Sequence, residues 1–221
     1  MDGEKGGRDG QGRIRETADE RKLHQQTGVD RIVDFGHNVM GFAITLLVTG
    51  ITVQPGIHDL KAHLFSLWPQ FIAYFLSFYV IGDNWIVYSR IFSHIIRYDE
   101  KLYWLNLLFL FFIAFLPFPT SLVSDYPGYK IPVLLYSTVI ICVIFARTLL
   151  WWYASKDHRL VHETLDPAFI RKTLLNAIFL LCGFFVVALI AFFSVSDAIS
   201  LWVVLGVFSL LSRFRLYKAV H

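Results

Sequence analysis

From residue 31 onward, charge survives only in short segments between long apolar runs. The chain carries 37 Asp, Glu, Lys and Arg side chains; residues 1–30 hold 13 of them and the remaining 191 residues hold 24. That is too few to solvate the surface of a globule. An ordinary soluble domain is about 25% charged, against 17% here, with 56% apolar residues. The pattern excludes a disordered chain, a disulfide-rich secreted domain and an ordinary cytosolic enzyme. It leaves an all-α polytopic membrane protein behind a polar N-terminal tail, because helices satisfy their own backbone groups in a bilayer.

A helical span needs roughly 20 mostly apolar residues, and the chain divides into six. They run over about 31–53, 64–92, 101–118, 131–153, 170–194 and 198–217. Span three is expected to stop at Leu116-Pro117-Phe118-Pro119. Residues 1–29, Gly-rich and mixed in charge, read as a flexible or marginally helical tail, and residues 30–221 as one transmembrane domain. No signal-peptide core precedes span one. With six spans both termini share one side, and that side receives 18 of the 20 Lys and Arg residues. Arg147 is counted there, in the linker between spans four and five, and so is Lys218. The other side holds only Lys61 and Lys130. Such asymmetry places both termini in the cytoplasm and accounts for the net charge of +3 without a nucleic-acid partner. The bilayer itself is the partner the composition demands. Trp68, Trp104, Trp151 and Trp152 lie near span ends, where interfacial anchoring and internal packing are both open readings. Cys142 and Cys182 fall in mid-span and read as buried thiols.

Span one is the unusual helix. Asn38, Gly41, Thr45, Thr49 and Thr52 recur at steps of three and four, which makes one helical stripe. Small and hydroxyl side chains there suit either close helix packing or the wall of a water-filled path. The start of the same helix is more polar, with Asp30, Arg31, Asp34 and His37. Arg31 and Asp34 are spaced to pair along one face. His37, between two apolar turns, needs a hydrogen-bond partner if buried. Candidates are Asp83, Asn84, Trp85, Tyr88 and Ser89 of span two and Asn106 of span three. His58, His63, His94, His158, His162 and His221 fall in loops or near ends and read as solvated. The sequence contains no phosphate-binding loop, zinc spacing or nucleophile elbow, so neither a catalytic metal nor another cofactor is expected.

These residues carry a family resemblance. The pattern R-x-x-x-F-S-D-G-V-F-A-I-A-I-T-L-L-V opens the first helix of the endolysosomal potassium channel family, transmembrane protein 175. Arg31, Phe35, Val39 and Ala43-Ile44-Thr45-Leu46-Leu47-Val48 match it without a gap. Ala73-Tyr74-Phe75-Leu76-Ser77-Phe78 with Trp85 resembles its second helix. Leu105-Asn106-Leu107-Leu108-Phe109-Leu110 and Phe115-Leu116-Pro117-Phe118-Pro119-Thr120 resemble its third. The chain departs from the pattern twice. F-S-D reads Phe35-Gly36-His37, and the paired histidines after the span-two tryptophan read Tyr88-Ser89.

The resemblance implies a homotetramer in which the first helix of each subunit lines a central pore for monovalent cations, potassium above all. Carried over by register, the constriction falls on Phe42, Leu46 and Thr49. Asn38, Thr45 and Thr52 become the polar lining, coinciding with the stripe. Arg31, His37, Trp85, Tyr88, Ser89 and Asn106 become an interhelical network. His37 is expected to bond Tyr88, Ser89 or Asn106, restoring the family's link with the imidazole moved to the other helix. A passive potassium-permeable channel of a prokaryotic plasma membrane is the resulting expectation. Its rivals are a proton-coupled small secondary transporter using His37, a non-conducting structural homologue, and, with the least support, a membrane enzyme or haem protein.

Overall fold

The computed structural model describes residues 5–52 and 59–217. The ends expected at Val53, Lys218 and His221, and the loop with His58, lie outside the described residues. Among the described residues eight α-helices follow one another: α1 (Lys5–Val48), α2 (Leu60–Ser66), α3 (Trp68–Phe92), α4 (Glu100–Phe115), α5 (Pro117–Asp125), α6 (Lys130–Ser155), α7 (Pro167–Ala191) and α8 (Val195–Tyr217). No strand occurs among the described residues. Asp59, Asp99 and Asp166 start α2, α4 and α7 by accepting from the backbone N–H of Ala62, Leu102 and Ala168 at 3.1, 2.9 and 2.8 Å. Each satisfies a donor that the first turn leaves open.

Among the described residues, five stretches are long and apolar enough to cross a bilayer: Gln25–Val48, Trp68–Phe92, Glu100–Asp125, Lys130–His158 and Pro167–Ala191. The sixth is α8, whose 23 residues give about 34 Å of helix, enough for a hydrocarbon core of about 30 Å. Span three differs from expectation. The prolines at 117 and 119 do not end it; they occupy the first turn of α5, where a missing N–H costs nothing. The apolar run is therefore interrupted only at Leu116, itself right-handed helical in backbone, and continues to Asp125. Residues 5–29, expected as a tail, form the first part of α1 itself.

The helices alternate in direction. At one end of the bundle the loop after α3 pairs with the loop after α6, through Ile96 N–H to Leu160 O at 2.9 Å. Gln25 of α1 joins that end by accepting from Tyr98 N–H at 3.1 Å. At the opposite end Lys130 Nζ donates to Phe192 O at 2.7 Å. Helix α6 is the centre of the fold: 56% of its apolar window is buried, against 22–39% in the other four. It packs against α4, α5, α7 and α8, while α1 packs against α3, α4 and α5.

Buried polar groups pin the helices together. Ser77 of α3 meets Thr120 of α5 at 2.8 Å and Tyr136 of α6 at 2.9 Å. Trp202 of α8 donates to Ser137 Oγ at 3.2 Å. Arg147 is not in a linker. It lies inside α6, 5% exposed, and donates to Asn84 Oδ1 at 2.6 Å. The positive-side count placed it by sign alone, although the expected span four, about 131–153, already contained it; within α6 (Lys130–Ser155) it falls on the buried face. Trp151 is likewise internal, whereas Trp68, Trp104 and Trp152 are exposed. Of the two thiols, Cys142 is half-buried, and Cys182 is exposed on the outward face of α7.

Candidate functional site

Helix α1 has two faces with the same period. Val29, Ile32, Gly36, Met40, Ala43 and Leu47 are buried against the neighbouring helices. Arg31, Asp34, Phe35, Asn38, Gly41, Phe42, Thr45, Leu46 and Thr49 face away from the protomer, and Phe42 is 72% exposed. Steps of three and four along each set keep both stripes straight for almost the whole span. The stripe's far end differs from the expected one. The α-helix stops at Val48, and Thr49, Gly50 and Ile51 close it with bonds three residues back, to Leu46, Leu47 and Val48 O at 3.2, 3.2 and 3.1 Å. Gly50 favours that tightening, since glycine carries the largest entropic cost in a helix and suits its end. Thr52 is exposed beyond the last turn, so it follows the helical stripe without belonging to it.

The stripe's hydroxyls are satisfied within their own helix. Thr45 Oγ1 donates to Phe42 O at 2.8 Å, and Thr49 Oγ1 donates to Leu46 O at 2.7 Å. Each hydroxyl proton is thus directed at the backbone, and the oxygen lone pairs are left for the exposed side. An oxygen presented this way accepts from water or coordinates a cation; it has no proton to offer an anion.

The buried face carries a different device, centred on Tyr88. Its hydroxyl donates to Ile32 O of α1 at 3.1 Å. The ring lies directly on Gly36, where an added Cβ would collide with the phenol. Its neighbours also include the Asn106 amide, which bonds the same hydroxyl, Phe92 at 4.4 Å between ring centroids and Phe109, stacked at 5.7 Å. Asn106 is buried, and its Oδ1 has no hydrogen-bond partner among the described residues. His37 is half-buried beside this group. Its Nε2 lies 3.3 Å from Ser89 Oγ, and its ring is 6.0 Å from Trp85 and 6.1 Å from Tyr88.

Five of the six expected network residues thereby come together: His37, Trp85, Tyr88, Ser89 and Asn106. Arg31 does not join them. It sits one position from Ile32, a rotation of about 100°, and so falls on the exposed stripe. Gly36, given no role of its own in the sequence reading, is what admits Tyr88 to the helix surface. The available signal was a glycine on the buried period of an apolar helix, which marks a close approach. Asp30, Val33, His37, Ser89, Arg97 and His162 border a wide cleft beside α1, so the His37–Ser89 pair is reached from the bundle's Gln25 end. No group of three His, Cys, Asp or Glu side chains at metal-binding distance occurs among the described residues.

Comparison with known proteins gives a consistent neighbourhood. A sequence model of the family described as Endosomal/lysosomal potassium channel TMEM175 matches residues 31–117. A potassium channel of Streptomyces collinus is 33% identical over 149 residues, covering 65% of this chain and 72% of that protein. A potassium channel of Chamaesiphon minutus is 34% identical over 149 residues, covering 64% and 73%. The crystal structure of a lysosomal potassium-selective channel TMEM175 homolog from Chamaesiphon minutus superposes with a TM-score of 0.76 at 29% identity, over 85% of this chain and 98% of that one.

Proposed function

The chain belongs to the endosomal/lysosomal potassium channel TMEM175 family, and from that premise we propose that it conducts potassium passively through a pore lined by α1. It is an integral membrane protein of an ion-channel family. The proposed assembly is four copies around an axis, each turning its exposed α1 stripe inward. Phe42, Leu46 and Thr49 form the constriction, and Asn38, Thr45 and Thr52 the polar lining. Residues 30–221 form the channel domain. The N-terminal part of α1 lies on the cytoplasmic side of a prokaryotic plasma membrane, where the basic residues of both paired loops also lie.

The observation that carries this reading is the outward stripe of α1, in which apolar side chains alternate with threonine oxygens whose protons are committed to the backbone. A narrow path needs both elements. Apolar side chains expel water and so gate by dewetting, while oxygen lone pairs replace part of a cation's hydration shell. The network of His37, Ser89, Tyr88 and Asn106 with Gly36 holds α1 against its own protomer, so that the stripe stays at a fixed angle to the axis.

Potassium efflux from liposomes holding the purified chain tests the proposal. The expected result is flux above empty liposomes, increased several-fold by Phe42→Ala. Flux at the empty-liposome level from the folded wild-type chain overturns it in favour of a non-conducting homologue. Conduction that Phe42→Ala leaves unchanged moves the constriction to other residues.

A further inference from the structure

On the side of the bundle away from α1, helices α3, α6 and α7 enclose a small cavity of about 70 Å³. Its chemistry is one-sided. Arg90 of α3, Arg147 of α6 and Lys172 of α7 all line it, together with the Asn176 amide, and no Asp or Glu is among its described lining residues. Trp151 lines it too. That side chain is 1% exposed, and its indole Nε1–H has no acceptor among the described residues. Its T-shaped approach to Phe169, at 6.1 Å between ring centroids, does not supply one.

A buried donor without an acceptor is costly, and cations gathered at the edge of a membrane are costly unless something neutralises them. Arg147 is already engaged by Asn84, so it contributes field to the cavity. Arg90 is half-buried and Lys172 is exposed, which leaves both heads able to close on a group entering from outside. The depth is also specific. Arg90 lies two residues before the end of α3, Trp151 four before the end of α6, and Lys172 five after the start of α7. At 1.5 Å per residue, all three lie within about 8 Å of their helix ends. That is headgroup depth, at the end of the bundle where the two loops pair.

We propose that this cavity binds a phosphate group, taking its oxygens on Arg90, Lys172 and the Trp151 indole N–H. A liquid water occupies about 30 Å³, so the cavity admits a headgroup phosphate and not an acyl chain. The group arrives either on an anionic phospholipid of the adjacent leaflet or as a free anion. Binding would join α7 to the α3–α6 core on the side of the protomer opposite α1, independently of any conduction.

Native mass spectrometry of the purified full chain tests this, with phosphatidylglycerol, phosphatidylcholine and inorganic phosphate as probes. The zwitterionic lipid controls for general lipid adhesion. Retention of phosphatidylglycerol over phosphatidylcholine is expected by about tenfold or more, the scale set by two basic residues at a membrane surface. The double variant Arg90→Gln/Lys172→Gln should abolish that preference. If inorganic phosphate binds with the same dependence on Arg90 and Lys172, the source is a free anion; if only phosphatidylglycerol does, it is the lipid headgroup. Equal retention of both lipids with no phosphate binding overturns the proposal, as does a preference that survives the double variant. Lys172→Gln alone, at an exposed position, gives the same reading if the double variant does not fold. Liposome flux is not the readout, so failure here leaves the channel proposal standing.

Discussion

The hydroxyls of α1's outward stripe bond only within their own helix, whereas polar groups of the α3–α6 interior such as Thr120 and Asn84 bond their own chain four residues back and a neighbouring helix as well. Thr45 and Thr49 bond their own helix three residues back. Ser77, Thr120, Tyr136, Asn84 and Arg147 bond across helices. Both solutions meet the requirement that a polar atom in a membrane be satisfied, yet their consequences diverge. Bonds across helices lock the protomer. A bond within one helix contributes nothing to packing and leaves a lone pair facing outward. The α3–α6 interior is where stability resides, and the α1 stripe is where a path for cations can be built.

The largest effect is expected where a bond between helices holds a charge. Asn84→Leu strips the Arg147 guanidinium of its 2.6 Å acceptor. Removing a hydrogen bond made to a buried charged group costs about 1.5–3 kcal/mol. Thermal unfolding in detergent should show it as a large fall in melting temperature. A change within error would place the Arg147 charge outside the bundle's stability altogether.

Next comes the contact of Tyr88 with Gly36. Alanine at a helix interior is favoured over glycine by about 1 kcal/mol, whereas overpacking a tight contact costs about 1–3 kcal/mol. Because the added Cβ would meet the phenol ring itself, Gly36→Ala should destabilise. In a Tyr88→Ala background the collision is gone and the same substitution should stabilise. That reversal of sign in a double-mutant cycle identifies the contact. Stabilisation in both backgrounds would mean that Tyr88 does not rest on α1. A smaller effect is expected from the His37–Ser89 pair, at 3.3 Å and only part-buried. Hydrogen bonds between membrane helices average about 0.6 kcal/mol by double-mutant cycle, and a coupling near that value is the expected result for His37→Ala with Ser89→Ala.

Much of this arrangement was readable in the sequence, for physical reasons that also explain what was missed. Span number and position follow from hydrocarbon thickness, which composition reports directly. The α1 stripe follows from helical period. What failed depended on where helices end and which way their residues face. Pro117 and Pro119 read as a stop because proline breaks a helix interior, yet at the start of α5 the same residues are tolerated. Arg147 read as a loop residue because its sign matched the side, although the expected span four already contained it; its place on the buried face of α6 is what draws it into the bundle. Arg31 matched a family position but turns away from the cluster, since a motif gives spacing and not facing. Gly36 carried its role in having no side chain, so nothing in its chemistry pointed to Tyr88.

The sharpest test of the comparison combines the smallest stability effect with a functional one. Thr45→Val and Thr49→Val preserve shape and remove a hydroxyl whose proton goes only to its own helix. Exposed substitutions of this kind stay within about 0.5 kcal/mol, so the melting temperature of the double variant should match the wild type. Potassium flux should fall several-fold, because the path loses the oxygens that stand in for water. The mirror-image result, a clear loss of stability with flux unchanged, would mean that the stripe is a packing face between protomers. It would also mean that the hydroxyls serve α1 as the buried ones serve α3 and α6. Ser77→Ala is the matched control from the other region. It removes a hydroxyl bonded to both Thr120 and Tyr136, so it should lower the melting temperature while leaving flux per folded protein unchanged.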